Sequence, residues 1–294
     1  MSSQEYFYHS FPRLMRDEPI NNNNERGFQI FKNIIKNGLL ITPEVIDLPF
    51  ELEDWQNPVV QLRCCFTLIE RSLLESHMEK FGSFSIEWNP QSLKDIGVFP
   101  VIYLPLYSFN TDADLEMLGA KFLYKMLRYH EFARRCFNNS KKSHSEATQN
   151  KNLAQMFEFN EEMRHFQGMM GWFEGLTNMI YPIEHKRYTD ENGYYRQREW
   201  KLPGNVIYNG EWVADYLTVE QKTELLNLNH GFFNKEINYL GKSVRQVDIC
   251  MFFKKFDNRH VLEHANKIIV PQQYLDRVKE ILRENNINIE VQEL

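Results

Sequence analysis

The chain has 294 residues, a formal net charge of −6 and an aromatic content of 14%, with 22 Phe and 14 Tyr. That length admits one large domain with an insertion or two small ones, the aromatic content supplies a sizeable core and excludes global disorder, and the acidic balance excludes an overall basic footprint for nucleic acid. Four cysteines (Cys64, Cys65, Cys136, Cys250) lack metal-ligand spacing, Met1–His9 has neither the basic start nor the apolar run of a signal peptide, and no apolar run is long enough to span a bilayer. A reduced, soluble, cytoplasmic protein is therefore expected.

Glu5–Ser10 is expected to be a short strand with His9 near its end, and Asn21–Asn24 a polar loop. Phe28, Phe31, Ile34 and Ile35 share one helical face, Gly38 stops that helix, and Leu39–Thr42 leaves it in extended form. Pro58–Thr67 reads as a β-branched apolar strand, Leu68–Phe81 as a helix broken by Gly82, and Ser83–Trp88 as an alternating strand. Phe99–Leu104 is apolar on both faces and so reads as a central strand. Asp112–Asn138 and Asn152–Ile180 carry helical spacing on either side of the polar stretch Asn138–Lys151, and together suggest a helical insertion packed on a sheet. Strands resume at Tyr194–Leu202, after the turn signal Asp190-Glu191-Asn192-Gly193. Val247–Lys254 holds a helix or a strand edge. The last elements are a strand at Asn266–Val270, an amphipathic helix over Pro271–Asn285 and an alternating strand at Ile287–Val291.

Three short constellations carry candidate chemistry. Gln197-Arg198-Glu199 stands at a strand entrance after an aromatic-bearing loop, a pattern found in NAD-dependent ADP-ribosyltransferases. Cleavage of the nicotinamide–ribose bond builds oxocarbenium character at the ribose carbon, which a fixed carboxylate at Glu199 would stabilise while hydrogen-bonding the 2-hydroxyl. Gln197, two residues earlier on the same strand face, would reach the acceptor. The competing reading is a solvent-facing strand of alternating charge. A strand-end His followed by Ser, as at His9-Ser10, also occurs in that superfamily, where the His holds a ribose hydroxyl and nearby backbone holds nicotinamide; the competing reading is a plain surface histidine. Ser83-Phe84-Ser85 fits a Ser-x-Ser brace for the glutamate, against a half-buried strand. These pieces fall along the chain in the order that such a fold requires.

With those residues in place, the sequence resembles the bacterial abortive-infection AbiGi-type family and its ADP-ribosyltransferase-like relatives. The matching stretches are His9-Ser10, the Asn37-Gly38-Leu39 helix end, and Cys65-Phe66-Thr67 followed by His77 and Phe81-Gly82-Ser83-Phe84. They continue with Pro100–Tyr103, Arg198-Glu199-Trp200-Lys201 and Ile268–Pro271. Lys201 stands where the family has Arg, and Ser85 where it has Gly. The resemblance implies an α+β fold: a single domain over 1–294, built on an ADP-ribosyltransferase-like split mixed or antiparallel sheet with helices, with a helical insertion at 110–182. It implies transfer of ADP-ribose from NAD⁺ to a macromolecule by the toxin of an antiphage abortive-infection, or toxin–antitoxin, system with a cognate partner protein. Glu199 and Gln197 would be catalytic. His9, Ser10, Ser83 and Ser85 would hold NAD, and Arg63 or Arg198 would offset its pyrophosphate. No metal is implied.

Local basic stretches, Lys121–Lys142 and Glu184–Lys201, tip the acceptor slightly toward nucleic acid. Tyr194, Tyr195 and Trp200 either stack on a base or pack their loop onto the sheet. Two rival readings stand beside the transferase. Glu199-Trp200-Lys201 with Asp190 upstream is the outline of a Mg²⁺-dependent nuclease. A non-catalytic antitoxin or interaction protein would keep the fold without the reaction. Glu162-Met163-Arg164-His165 has di-metal spacing but no second copy, and reads as a solvated helix face.

Overall fold

The computed structural model describes residues 4–13, 20–46, 59–104, 132, 179–182, 198–204, 207–208, 211–239 and 241–294. The chain divides into two units, Met1–Val101 with Asn192–Leu294, and Ile102–Glu191. In chain order the first unit runs β1 (Glu5–Phe11), α1 (Ile20–Asn37), β2 (Leu39–Ile46), β3 (Val59–Glu70), a 3-10 turn (Arg71–Leu73), α2 (Leu74–Phe81), β4 (Phe84–Trp88), α3 (Pro90–Ile96) and β5 (Phe99–Pro100). The second unit contributes β6 (Ile102–Leu104) and β7 (Ile180–Pro182), a parallel pair with Tyr103 edge-on to Tyr181 at 6.4 Å between ring centroids. The first unit then resumes with β8 (Glu199–Pro203), the ribbon β9–β10 (Ile207–Tyr208 and Glu211–Trp212), β11 (Asp215–Tyr216), α4 (Val219–Leu228), α5 (His230–Phe233) and the hairpin β12–β13 (Glu236–Tyr239 and Lys242–Arg245). It ends with α6 (Gln246–Ile249), β14 (Met251–Phe253), the hairpin β15–β16 (Lys255–Phe256 and Arg259–His260), β17 (Lys267–Val270), α7 (Leu275–Glu284) and β18 (Glu290–Glu293).

The architecture is α+β around a mostly antiparallel sheet. Among the described residues ten strands join in the path β11-β14-β2-β3-β1-β4-β17-β18, with β8 attached to β3 and β5 to β8; within it β17–β18 is the parallel pair. The long strand β3 is the seam. One of its edges pairs with β2 through residues 59–63 and with β1 through residues 67–70, while the opposite edge pairs with β8 through residues 63–67. Two wings thus leave the same edge of β3 and diverge, and no described strand is in register with residues 64–66 on that edge. The α+β class and the mostly antiparallel sheet agree with the expectation from the sequence.

Alternation along the strands sorts the two faces. One carries Phe7, Phe11, Cys64, Phe66, Leu202, Phe84, Ile86, Trp88, Ile268 and Val270, and packs against Phe28, Phe31, Ile34 and Ile35 of α1, Leu93 and Ile96 of α3, and Val278 and Leu282 of α7. Phe7 meets Trp200 edge-on at 5.0 Å and Phe66 meets Trp88 at 5.3 Å. Each such buried aromatic contributes about 2–3 kcal/mol of apolar transfer. The opposite face bears two smaller apolar clusters. One gathers Tyr8, Ile69 and Ile269 under Leu74 and Met78 of α2. The other gathers Leu217, Leu225, Phe233, Val247, Cys250 and Phe252, with Leu40 packed against it.

Several elements differ from the sequence reading for identifiable reasons. Asn21–Asn24 is not a loop but lies inside α1. The buried Asn23 donates to the Pro12 carbonyl and the buried Asn24 accepts from Ser83, so polar side chains dock this turn of helix on β1 and β4. Leu68–Glu70 continues β3, because it pairs with Glu5–Phe7, and the helix begins only at Leu74. Phe99–Leu104 is two strands: Phe99–Pro100 pairs with β8, whereas Ile102–Leu104 pairs with β7 of the second unit. The last helix opens with a 3-10 turn at Gln272–Tyr274, and the final strand is set by its parallel register with Lys267–Val270 rather than by its own alternation. The expected helical insertion, apart from Phe132 and the residues at its end, lies outside the described residues. Among the described residues no helix is long and apolar enough to cross a membrane.

Candidate active site

Between the two apolar clusters on the second face lies a polar strip built by β3 and β8. The odd positions of β3 place Gln61, Arg63, Cys65 and Thr67 on it; β8 adds Glu199 and Lys201, and β2 adds Glu44. The register puts Glu199 opposite Thr67, Thr67 opposite Tyr8, and Tyr8 opposite Glu87, one row across four strands. Lys201 stands opposite Cys65 in the next row. Gln61, Arg63, Thr67 and Lys201 are all buried, the Lys201 residue to 1% exposure. Burying that much polarity requires partners. Lys201 Nζ donates to Gln61 Oε1 at 3.1 Å, Arg63 Nη1 donates to the same oxygen at 3.3 Å, and Arg63 forms an ion pair with Glu44.

The electrostatics of the strip centre on Glu199 and Lys201. Burial, reinforced by the positive charge of Arg63 and opposed by Glu199 and Cys65, pushes the Lys201 ammonium down to about 7. Burial pushes the Cys65 thiol up to about 11; Arg63 and Lys201 oppose that, while Glu199 repels the thiolate and accepts the thiol's hydrogen bond. Glu199 is therefore a half-buried carboxylate engaged by a thiol, next to a lysine that changes charge near neutrality. It is introduced by Arg198, whose φ of 41° is unusual for a residue with a side chain.

The remaining candidates are dispersed around this strip. Ser10 and Ser85 face each other across β1 and β4 at 2.9 Å. Ser83 is not in that pair: it precedes β4 and donates to Asn24 of α1, so the Ser-x-Ser does not converge on one point. His9 points to the opposite face from Glu199, between Phe11 and Phe66, each 5.6 Å from its ring. It sits at the fork, where its Nδ1 lies 2.8 Å from the Cys65 carbonyl. Donation from Nδ1 fixes the tautomer with Nε2 as an acceptor, and burial pushes the imidazole pKa down, which keeps it neutral. The two arginines assigned to a pyrophosphate are both engaged by carboxylates, Arg63 by Glu44 and the exposed Arg198 by Glu5. Trp200 is half-buried and packs edge-on against Phe7 at the margin of the core, the packing role of the two that the sequence allowed. Gln197, Tyr194, Tyr195, Asp190 and the basic stretch 121–142, apart from Phe132, lie outside the described residues.

Sequence reasoning gave no site role to Gln61, Cys65, Thr67 or Glu44, although Cys65 and Thr67 fall in a stretch that carries the resemblance. For the three residues on β3 the signal was the alternation inside Pro58–Thr67, whose overall apolar character hid a polar residue at every second position from Gln61 onward. It also missed Glu87, which is 2% exposed and accepts from Tyr8 and from Arg71, both at 2.8 Å. Among the described residues no group of three or more His, Cys, Asp or Glu is placed to hold a metal ion. No protein-family model, curated protein or solved structure matches the chain.

Proposed function

We propose that the chain cleaves the nicotinamide–ribose bond of NAD⁺ and transfers ADP-ribose to a macromolecule, with nucleic acid favoured over protein. The observation that carries this reading is the position of Glu199. Its carboxylate opens β8 on the polar strip, between two helix-covered clusters, and follows a left-handed residue at the strand entrance. In the reaction the C–N bond breaks and nicotinamide leaves with the electron pair. Glu199 stabilises the cation left on the ribose carbon. The acceptor oxygen or nitrogen then bonds that carbon and gives up its proton, with Gln197 orienting the acceptor. His9 faces away from Glu199, so on this reading the ribose enters at the fork in the sheet, where Nε2 of His9 accepts from a hydroxyl, and the Ser10–Ser85 pair supports β1 beside it. On this reading the protein acts in the cytoplasm as the toxic effector of an antiphage system and is restrained by a partner protein.

The test is incubation of purified wild type and Glu199→Gln with labelled NAD⁺ and bacterial extract, followed by separate protease and nuclease digestion. Macromolecular label with wild type and none with the variant is expected, and the digestion names the acceptor. No label with either protein, freed of partners, supports the non-catalytic interaction protein instead. A second reading has its own observation: Glu199 and the near-neutral Lys201 share one strand face, as a Mg²⁺-dependent nuclease would use them. It is separated by asking whether nucleic acid is cut with Mg²⁺ in the absence of NAD⁺.

A further inference from the structure

At the far end of β1 lies a second cluster, outside the strip. Arg13 follows the strand, and its guanidinium carbon stands 4.7 Å over the ring of Phe81. His77 stacks on that same ring at 4.4 Å and 26°. Lys80 is the neighbouring residue on α2. The cluster is held together by backbone packing: a Cβ on Gly82 would fall 2.2 Å from the Phe11 carbonyl carbon and 2.4 Å from the Pro12 oxygen, so the end of α2 lies directly against the end of β1.

Among the described residues these cations lack a counter-charge, as several surface cations do, but here they are brought together around one ring. Arg63 has Glu44, Arg198 has Glu5, Arg71 has Glu87 and Arg277 has Glu25. Among the described residues no carboxylate pairs with Arg13, Lys80 or His77. Arg13 and Lys80 are exposed, while Phe81 and His77 are half-buried, so the group is anchored and open at once. His77 reports the excess: burial first, then Arg13, His9 and Lys80, push its imidazole down to about 4. It is neutral near pH 7 and keeps one N–H to donate.

We infer that Arg13 and His77, gathered on Phe81 beside the fork, form with the nearby Lys80 an oxyanion site that takes the pyrophosphate of a dinucleotide. The identity of the ligand as a dinucleotide rests on the NAD⁺ reading above; the anion chemistry does not. A guanidinium fixed over a ring presents paired donors to phosphate oxygens, and a neutral imidazole adds a further hydrogen bond. The site replaces Arg63 and Arg198 in the role the sequence suggested for them, since both are already occupied by carboxylates.

The experiment is calorimetric titration of the full chain with ADP-ribose and, separately, with inorganic pyrophosphate. Wild type is compared with Arg13→Gln, His77→Gln and, as a surface control on α7, Arg283→Gln, with melting curves to confirm that each is folded. ADP-ribose affinity is expected to fall by roughly tenfold or more in Arg13→Gln, less in His77→Gln and not at all in Arg283→Gln, with pyrophosphate competing for the wild-type site. Equal affinity in all four proteins, or no binding to wild type, overturns the inference. Arg13-dependent binding without NAD⁺ labelling keeps the anion site and removes the transferase, whereas labelling that is indifferent to Arg13→Gln does the reverse.

Discussion

Lys201 ties the chemistry of the strip to the stability of the fold. Its folded pKa is about 7, against an ordinary value of 10.5, because burial and Arg63 disfavour the ammonium more than Glu199 and Cys65 support it. Between those two values the unfolded chain binds more protons than the folded one, so stability must rise with pH there, by at most about 1.4 kcal/mol per pH unit for one proton. The raised thiols act in the opposite sense, Cys65 from 9.0 to about 11 and Cys250 from 9.0 to about 12; the unfolded chain sheds those protons first, and stability is lost above pH 9. The lowered histidines, His9, His77 and His260, act below their ordinary 6.5. The window from pH 7 to 9 therefore belongs to Lys201. Urea unfolding of wild type should show stability climbing across it, and Lys201→Met should flatten the climb while leaving the protein at least as stable at pH 7. Parallel pH profiles for the two proteins would place the lysine's proton elsewhere.

At the scale of elements, the junction of α2 with β1 depends on Gly82. Its φ of 123° is costly for any side chain, and a Cβ would strike the backbone of Phe11 and Pro12. Gly82→Ala is expected to cost more than about 2 kcal/mol, a fall in melting temperature of roughly 4–8 °C for a domain of this size. A melt within a degree of wild type would mean that the junction gives way freely. This glycine was legible in the sequence as a helix stop, as was Gly38, because both follow an apolar spacing that ends abruptly. What Gly82 touches was not legible, since Phe11 is remote in sequence. The same limit explains the site. Glu199 and Lys201 were visible as a pattern within one strand. The row Glu199–Thr67–Tyr8–Glu87 depends on strand register, which pairs residues 79 positions apart in the case of Tyr8 and Glu87. His9 was visible as a strand-end histidine, but the face it takes follows from where β1 pairs with β3. Asn23 and Asn24 look like loop residues until their buried partners are known.

The sheet of the larger unit turns on β3, which carries one wing through residues 59–63 and the other through residues 67–70 of a single edge. On the opposite edge the bonds to β8 involve the even positions, as Leu68 N to Arg198 O and Gly204 N to Leu62 O show. The amides of Arg63, Cys65 and Thr67 therefore point to the forked edge. Arg63 and Thr67 lie within the ladders of β2 and β1, whereas Cys65 falls between them, its carbonyl met by the imidazole of His9 instead of by a strand. Protection against hydrogen exchange follows from how many bonds must open together. The Cys65 amide should exchange at least about tenfold faster than those of Arg63 and Thr67, although all three belong to one continuous strand in the middle of the sheet. The fork is also where the NAD⁺ reading puts the ribose, next to Nε2 of His9. ADP-ribose at saturation should then slow exchange at Cys65 selectively, with Glu5–Phe7, further along the β1 ladder, unchanged. Uniform protection across Arg63, Cys65 and Thr67 in the free protein would mean that the two wings close on β3, leaving no opening for a ligand between them.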